Sequence, residues 1–234
     1  MIFYRIYQIF IMAPVMLVAT SLTALITIFG SLIGLGRWFG YWPAVIWSRV
    51  MCWIAWVRVS VTGRENIDRR TSYVFVANHQ SAYDIFTLFG YLGHNFRWMM
   101  KKELRKIPLV GFACEMAKQI FIDRSSPAAM RSSIRRAEGL LKGGMSVVVF
   151  PEGHRSKTGK VGSFKRGAFT LATDFNLPIV PLTIDGAFDV MPPRNKVPRP
   201  GRIKLTIHKP ILPEGEMDEL MEKCREEIRS SLAQ

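Results

Sequence analysis

The stretch Val74–Phe89, VFVANHQSAYDIFTLF, contains the change of pattern that decides the fold. It opens with a short apolar run that is typical of a buried strand, and it closes with apolar residues at helical spacing. His79 and Asp84 stand between the two halves, five positions apart. Ser81 can cap the helix, and a turn of this length can bring the carboxylate within hydrogen-bond reach of the imidazole. The stretch therefore predicts a strand that runs into a helix, with a polar pair at the junction.

The same alternation continues along the rest of the chain, from about Val57 onward. Strands that alternate with helices predict an α/β domain with a largely parallel central sheet flanked by helices. Ligands of such sheets bind at the carboxyl ends of the strands, so function is expected in the loops there. The predicted strands are VRVSVTG, SYVFVAN, FRWMM, QIFID, SVVVFPEG, LPIVPLTI and IKLTIH, and the predicted helices are Ala82–Gly93, Pro127–Leu141, Lys165–Asn176 and Glu216–Leu232, with Lys102–Lys106 and Leu109–Ala117 as shorter candidates.

The amino-terminal segment is apolar enough to enter a membrane. Residues 6–36 carry no charge, and Ile9–Phe29 is as long as the roughly 20 residues that a helical span needs. The next segment, Tyr41–Val61, is rich in tryptophan and arginine, which favour the headgroup zone of a bilayer. We expect an amino-terminal helical membrane-anchoring segment. Two buried core helices are the alternative, and a spanning helix and a hairpin within one leaflet both remain open.

The charge of the chain limits its partners. Its net charge of +14 and pI near 10.1 indicate an anionic partner, which can be a nucleic acid, an anionic membrane or an acidic substrate. Nucleic acid is disfavoured, because the aromatic residues concentrate in the apolar segment instead of alternating with a basic face. The three cysteines and four histidines show no spacing typical of a disulfide framework or a metal site, so no metal is expected.

Two further strand ends carry charged residues. QIFIDRS ends in Arg124, which is suited to bind a phosphate or, more simply, to pair with Asp123. VVVFPEGHRS ends in Glu152, Gly153 and Arg155. The loop after it fails as a phosphate-binding P-loop in both its glycine spacing and its magnesium-binding position, and the chain has no GxSxG nucleophile motif.

The chemistry of these strand ends centres on His79. An imidazole titrates close to neutral pH, and a carboxylate on one ring nitrogen leaves the other free to act as a base. The plainer alternative is a capping aspartate and a histidine bonded to backbone. With a candidate base and no evident serine nucleophile, the pattern favours direct transfer to a substrate hydroxyl.

Taken together, the motifs resemble those of the glycerophospholipid acyltransferase family, most closely its bacterial lysophosphatidate acyltransferases. The resemblance covers roughly residues 57–213. One departure is His154, which stands where the family usually has threonine. The matching motifs are NHQSAYD with His79 and Asp84, KKELRKIP with Lys101, IFIDR with Arg124, FPEGHRS with Glu152, Gly153 and Arg155, and LPIVPLTI with Pro181.

The resemblance implies a reaction and roles for these residues. His79 would deprotonate the free hydroxyl of 1-acyl-sn-glycerol 3-phosphate, and Asp84 would orient His79. The acyl donor would be an acyl-CoA or acyl carrier protein thioester, which is a substrate, so no cofactor is implied. The substrate-binding residues would be Lys101, Arg124, Glu152, Gly153 and Arg155, with the three cations around the phosphate.

The resemblance also implies an organisation and a location. Residues 1–56 would form the hydrophobic membrane-anchoring helices, and residues 57–234 the α/β acyltransferase domain. Arginines follow the apolar stretch and only Arg5 precedes it, so the positive-inside rule places the large domain on the cytoplasmic face of the bacterial inner membrane. Acylation of another lysolipid, such as a lyso-aminolipid, and a non-catalytic membrane adaptor remain as alternatives.

Overall fold

The structure, a computed structural model, describes residues 2–123, 125–126, 128–129, 132–133, 135, 139, 141, 144–195 and 197–232. Its centre is a seven-stranded sheet with the order β1-β7-β6-β2-β5-β3-β4. Every neighbouring pair is parallel except β6 and β7, which run antiparallel. The strands are β1 Val57–Thr62, β2 Val74–Ala77, β3 Phe96–Lys101, β4 Ile120–Ile122, β5 Ser146–Val149, β6 Ile179–Asp185 and β7 Gly201–Ile207.

Helices cover both faces of the sheet, as a parallel arrangement requires. Buried residues of α2 and α3 pack on one face, and buried residues of α5 and α7 pack on the other. The helices are α1 Ile2–Phe39, α2 Trp42–Ile54, α3 Tyr83–Tyr91, α4 Val110–Met116, α5 Gly167–Asp174, α6 Ala187–Val190 and α7 Met217–Ser230, and single turns of 3-10 helix cover Arg64–Asn66 and Lys102–Lys106.

The predicted fold class is confirmed. All seven predicted strands are present, and the predicted helices at Ala82, Lys165 and Glu216 correspond to α3, α5 and α7 within two residues at each end. The predicted helix Pro127–Leu141 falls largely outside the described residues. The antiparallel pairing of β6 with β7 and the short helix α6 were not predicted.

The long helix α1 leaves most of its surface uncovered. It covers 38 residues with a break at Gly34, whose φ is 86°, and its most apolar stretch has a mean hydropathy of 2.3 and is only 11% buried. Within the described part of the chain it is the one helix long and apolar enough to cross a membrane, a criterion of length and composition alone. Its side chains reach the rest of the molecule at a few points, such as Tyr7 Oη to Ile54 O at 2.8 Å and Gln8 Nε2 to Pro198 O at 2.6 Å. These features are weak evidence of membrane association.

Candidate active site

His79 and Asp84 form a hydrogen-bonded pair at the carboxyl end of β2. The distance from His79 Nδ1 to Asp84 Oδ2 is 2.8 Å. The same carboxylate oxygen accepts the backbone N–H groups of Gln80 at 2.7 Å and Ser81 at 2.8 Å, and Asp84 is fully buried. Because a carboxylate can only accept, Nδ1 carries the proton, and Nε2 is left as the basic nitrogen.

An aromatic stack fixes the plane of the imidazole. The ring of His79 lies 3.8 Å from the ring of Phe150, centroid to centroid, at an angle of 7°. Phe150 in turn stacks on Trp98 at 5.2 Å. Asp84 thus sets the rotation of the imidazole within its plane, and Phe150 sets the plane itself, so only one orientation of Nε2 satisfies both contacts.

The buried carboxylate of Glu152 joins the loops that follow β2 and β5. Its Oε1 accepts the backbone N–H of His79 at 2.8 Å, and its Oε2 accepts that of Gly162 at 2.8 Å. The N–H of Ser156 donates to the carbonyl of His79 at 2.7 Å, which adds a second link. β2 and β5 are direct neighbours in the sheet, so these loops start side by side. Burial raises the pKa of the Glu152 carboxyl, and the backbone donors of His79 and Gly162 oppose the rise.

The other residues predicted to bind substrate take different positions. Lys101 ends β3 and Gly153 follows β5, and both line the same cavity as His79. Gly153 has φ of 77°, a conformation that favours glycine. Arg155 is exposed on the loop after β5 and does not line the cavity, and Arg124 lies outside the described residues. Glu152 is 3% exposed and accepts one backbone donor at each carboxylate oxygen, and its substrate-binding role stays a prediction.

An apolar cavity of about 390 Å³ lies between α1 and the α/β domain, with His79 in its wall. Phe150 and Trp98 form the aromatic part of the wall beside the imidazole. The sequence motifs did not predict this cavity, although threonines recur on the face of the otherwise apolar α1 that lines it. The wall includes Thr20, Thr23, Ala24 and Thr27 of α1 and Val110, Ala113 and Cys114 of α4.

Cys114 also lines this cavity, and a cysteine thiolate could in principle act as a nucleophile in place of the substrate hydroxyl. Burial raises the pKa of its thiol to about 11, so the reactive thiolate is scarce at neutral pH. Among the described residues no group of three or more histidine, cysteine, aspartate or glutamate side chains could hold a metal ion. The chemistry that the described side chains offer is therefore that of an oriented imidazole base beside an apolar cavity.

The fold and site define an α/β protein with a His–Asp dyad at the end of a central strand. A family model described as Acyltransferase matches residues 58–185, more than half of the chain, and the chain belongs to this family.

Among its relatives, the chain is 35% identical over 198 residues to the chloroplastic 1-acyl-sn-glycerol-3-phosphate acyltransferase LPAT1 of Arabidopsis thaliana, covering 84% of this chain and 55% of that protein. It is 34% identical over 175 residues to the 1-acyl-sn-glycerol-3-phosphate acyltransferase of Pseudomonas aeruginosa, covering 73% of this chain and 67% of that protein. The chain thus spans only about half the length of the plant relative.

A solved structure matches nearly the whole chain. The crystal structure of the 1-acyl-sn-glycerophosphate acyltransferase PlsC from Thermotoga maritima superposes with a TM-score of 0.76 at 27% identity. The match covers 98% of this chain and 96% of that one, so it includes α1 and α2 as well as the sheet.

Proposed function

We propose that this protein transfers an acyl chain from acyl-CoA or acyl-ACP to the free sn-2 hydroxyl of 1-acyl-sn-glycerol 3-phosphate, which forms phosphatidic acid in phospholipid biosynthesis. The observation that carries the proposal is the His79–Asp84 dyad in the wall of an apolar cavity. The relatives named above support it, because all three bear the name of this reaction.

The dyad supplies the base for a direct transfer. His79 Nε2 removes the proton of the acceptor hydroxyl as its oxygen attacks the thioester carbonyl. The new carbon–oxygen bond forms, the carbon–sulfur bond breaks, and the departing thiolate takes from His79 the proton that came from the acceptor hydroxyl. Asp84 stabilises the imidazolium that exists in between. A base placed in this way typically contributes about 10²–10⁴-fold to the rate.

The surroundings of the dyad suit the two substrates. The apolar cavity takes the acyl chain of the donor, and Lys101 at its wall, with Arg155 and Arg124, binds the acceptor phosphate. The thioester is a substrate, and no cofactor is needed. Residues 1–56 anchor the protein in the inner membrane and residues 57–234 carry the chemistry at its cytoplasmic face, where the positive charge of the chain meets anionic lipid.

Assays of purified variants with a panel of lysolipids test the proposal. His79→Ala and Asp84→Asn should each lower turnover with 1-acyl-sn-glycerol 3-phosphate by about 10²-fold or more, because each removes part of the oriented base. Asp189→Asn, at an exposed position of α6, is the matched control and should keep normal turnover. Near-normal turnover of His79→Ala would refute the base. A product formed only from a lyso-aminolipid would keep the mechanism and replace the acceptor.

A further inference from the structure

A group of exposed apolar side chains surrounds the segment that follows β3. Beyond Trp56, six large hydrophobic residues are exposed among those that the structure describes, and four of the six lie within nine consecutive positions. Such clustering marks an interaction surface, whereas scattered exposed apolar residues are ordinary. The four are Leu104, Ile107, Leu109 and Phe112, exposed by 40%, 43%, 37% and 51%. We call residues 101–112 the rim segment.

The rim segment separates the cavity from the outside. Leu104 and Ile107 line the cavity and are also exposed, so they lie at its edge. Leu109 and Phe112 do not line the cavity, and their exposed surface therefore faces away from it. One short segment thus contacts the cavity with part of its apolar surface and the surroundings of the protein with the rest.

The backbone conformation at Leu109 is strained. Its φ of 60° and ψ of −53° form a γ-turn, closed by a hydrogen bond from Val110 N to Pro108 O at 2.6 Å. This turn is strained for a bulky residue. The segment is also tightly packed, since a Cβ on Gly111 would clash with the backbone carbonyl oxygen of Arg105. The exposed position of Leu109 is therefore fixed by a defined backbone turn and by the packing around it.

The charges and neighbours of the rim segment indicate what covers it. It carries four cations, Lys101, Lys102, Arg105 and Lys106, against one acid, Glu103, and two of the cations pair with acids outside the segment, Lys102 with Asp123 and Arg105 with Glu115. Its last turn leads into α4, where Ala113 packs against Ala24 and Ile28 of the apolar helix α1. Exposed apolar side chains bordered by cations, beside a second apolar surface, are the pattern of a segment that enters the interface of an anionic bilayer.

We propose that the rim segment inserts into the bilayer surface beside α1 and forms the edge across which the lysolipid acceptor passes from the membrane to His79. The partner is a lipid surface with anionic headgroups. The second half of this proposal rests on the proposed function, because it names the route of that acceptor. The insertion itself is measurable whether or not the protein is an acyltransferase.

Fluorescent labelling of the full chain in vesicles tests the insertion. In a Cys114→Ser background, an environment-sensitive label is placed at Phe112→Cys or, as matched control, at Leu212→Cys, since Leu212 is 57% exposed and lies beside Lys209 and Glu214. The remaining cysteines, Cys52 and Cys224, are fully buried. Vesicles of phosphatidylcholine with added phosphatidylglycerol should blue-shift the label at position 112 and expose it to a quencher carried on lipid acyl chains, while position 212 stays aqueous.

Equal emission from the two positions would overturn the proposal. So would a blue shift at position 112 that appears only when an acidic carrier protein is added, because the surface would then be a protein-docking site. Either result leaves the proposed acyl transfer untouched, since neither depends on turnover.

Activity measurements test the route. Leu109→Ser combined with Phe112→Ser should lower turnover of a long-chain acceptor in vesicles roughly tenfold, since withdrawing one large apolar side chain from an apolar phase already changes an equilibrium by about that factor. Turnover of a short-chain, water-soluble acceptor should stay within about twofold, as should both activities of the Leu212→Ser control. An equal loss on both acceptors would refute the route, because the segment would then act on the chemistry and not on access from the bilayer.

Discussion

At the scale of single residues, the buried carboxylate of Glu152 holds the loop that carries His79. Glu152 was predicted to bind substrate, yet both of its oxygens accept backbone donors. One of those donors is the N–H of His79 itself. We therefore infer that Glu152 is a positioning residue, which acts on the reaction through the loop that carries the base.

Glu152→Gln separates this role from direct substrate binding. The amide would present a donor to one of the two N–H groups, so one hydrogen bond to a charged acceptor is lost and the loop loosens. Such a bond contributes about 1.5–3 kcal/mol. If that free energy keeps His79 in its productive orientation, its loss lowers the oriented fraction by roughly ten- to a hundredfold. We expect kcat to fall by that order while KM for the acceptor changes little. Glu219→Gln, at an exposed position of α7, is the control. A raised KM with an unchanged kcat would restore the substrate-binding role.

The thiol in the cavity gives a second prediction at this scale. Because burial raises the pKa of Cys114 to about 11, its thiolate fraction at neutral pH should be far below that of an ordinary cysteine. Alkylation by iodoacetamide near pH 7 should thus be slower than for a free cysteine by roughly a hundredfold or more, and should accelerate continuously as pH rises towards that value. Mass spectrometry of the Cys114 peptide over time measures the rate. Fast modification at neutral pH would contradict the prediction and support a mechanism in which Cys114 carries the acyl group covalently.

At the scale of elements, the sequence was most informative where local pattern and buried position agree. β2 and β5 are fully buried four-residue strands, and their continuous apolar runs identified them. The His79–Asp84 pair was predictable because both residues lie on one short turn. The stack of His79 on Phe150 was not, because the two residues are 71 positions apart and only the pairing of β2 with β5 brings their rings together.

The antiparallel pairing of β7 with β6 was missed for a similar reason, although β7 itself was predicted as a strand. Its burial pattern alternates, which identifies a strand with one covered face but carries no information on direction. The role of Glu152 was also beyond local reasoning, since its two partners lie in two different loops. What the sequence left undetermined is the set of long-range contacts, which depends on the order of strands in the sheet.

His208 connects β7 to two other elements and predicts a response to acid. Its Nε2 lies 2.8 Å from Thr183 Oγ1 of β6, and its Nδ1 lies 3.2 Å from Glu227 Oε2 of α7. Burial lowers the pKa of His208, and Glu227 opposes part of that effect. Since the folded pKa is below the unfolded value of about 6.5, the unfolded state binds more protons in acid. The stabilisation is complete above about pH 6.5 and is lost as pH falls through the folded pKa.

His208→Gln tests this element because an amide cannot titrate. The free energy of unfolding of the parent chain should decrease between about pH 7.5 and pH 5. The decrease should be smaller in the variant, although not absent, because His94 also has a pKa lowered by burial and stays in both proteins. Denaturant unfolding in detergent at the two pH values measures the difference. The same acid sensitivity in both proteins would assign the response to other groups.

At the scale of the whole molecule, the amino-terminal helix and the α/β domain form the cavity together. α1 presents most of its surface outward, while Thr20, Thr23, Ala24 and Thr27 form one wall of the cavity. A truncation that removes α1 would therefore open the cavity as well as weaken membrane association. The two roles of α1 need separate tests, and neighbouring residues on its two faces provide them.

Thr23→Phe and Leu22→Phe form such a pair. Thr23 is half-buried and lines the cavity, whereas Leu22 is 53% exposed on the outer surface of α1. A phenyl ring at position 23 reduces the apolar space that the proposed acyl chain occupies, and a close-packed wall cannot expand without strain.

We expect Thr23→Phe to move the preference among donors towards shorter acyl chains, with a loss of about tenfold or more on the longest ones, since overpacking costs roughly 1–3 kcal/mol. Leu22→Phe should keep the parent preference. Competition between donors of different length, with products separated by mass spectrometry, measures both. A uniform loss across all lengths in Thr23→Phe would mean that the cavity supports the fold and does not hold the chain.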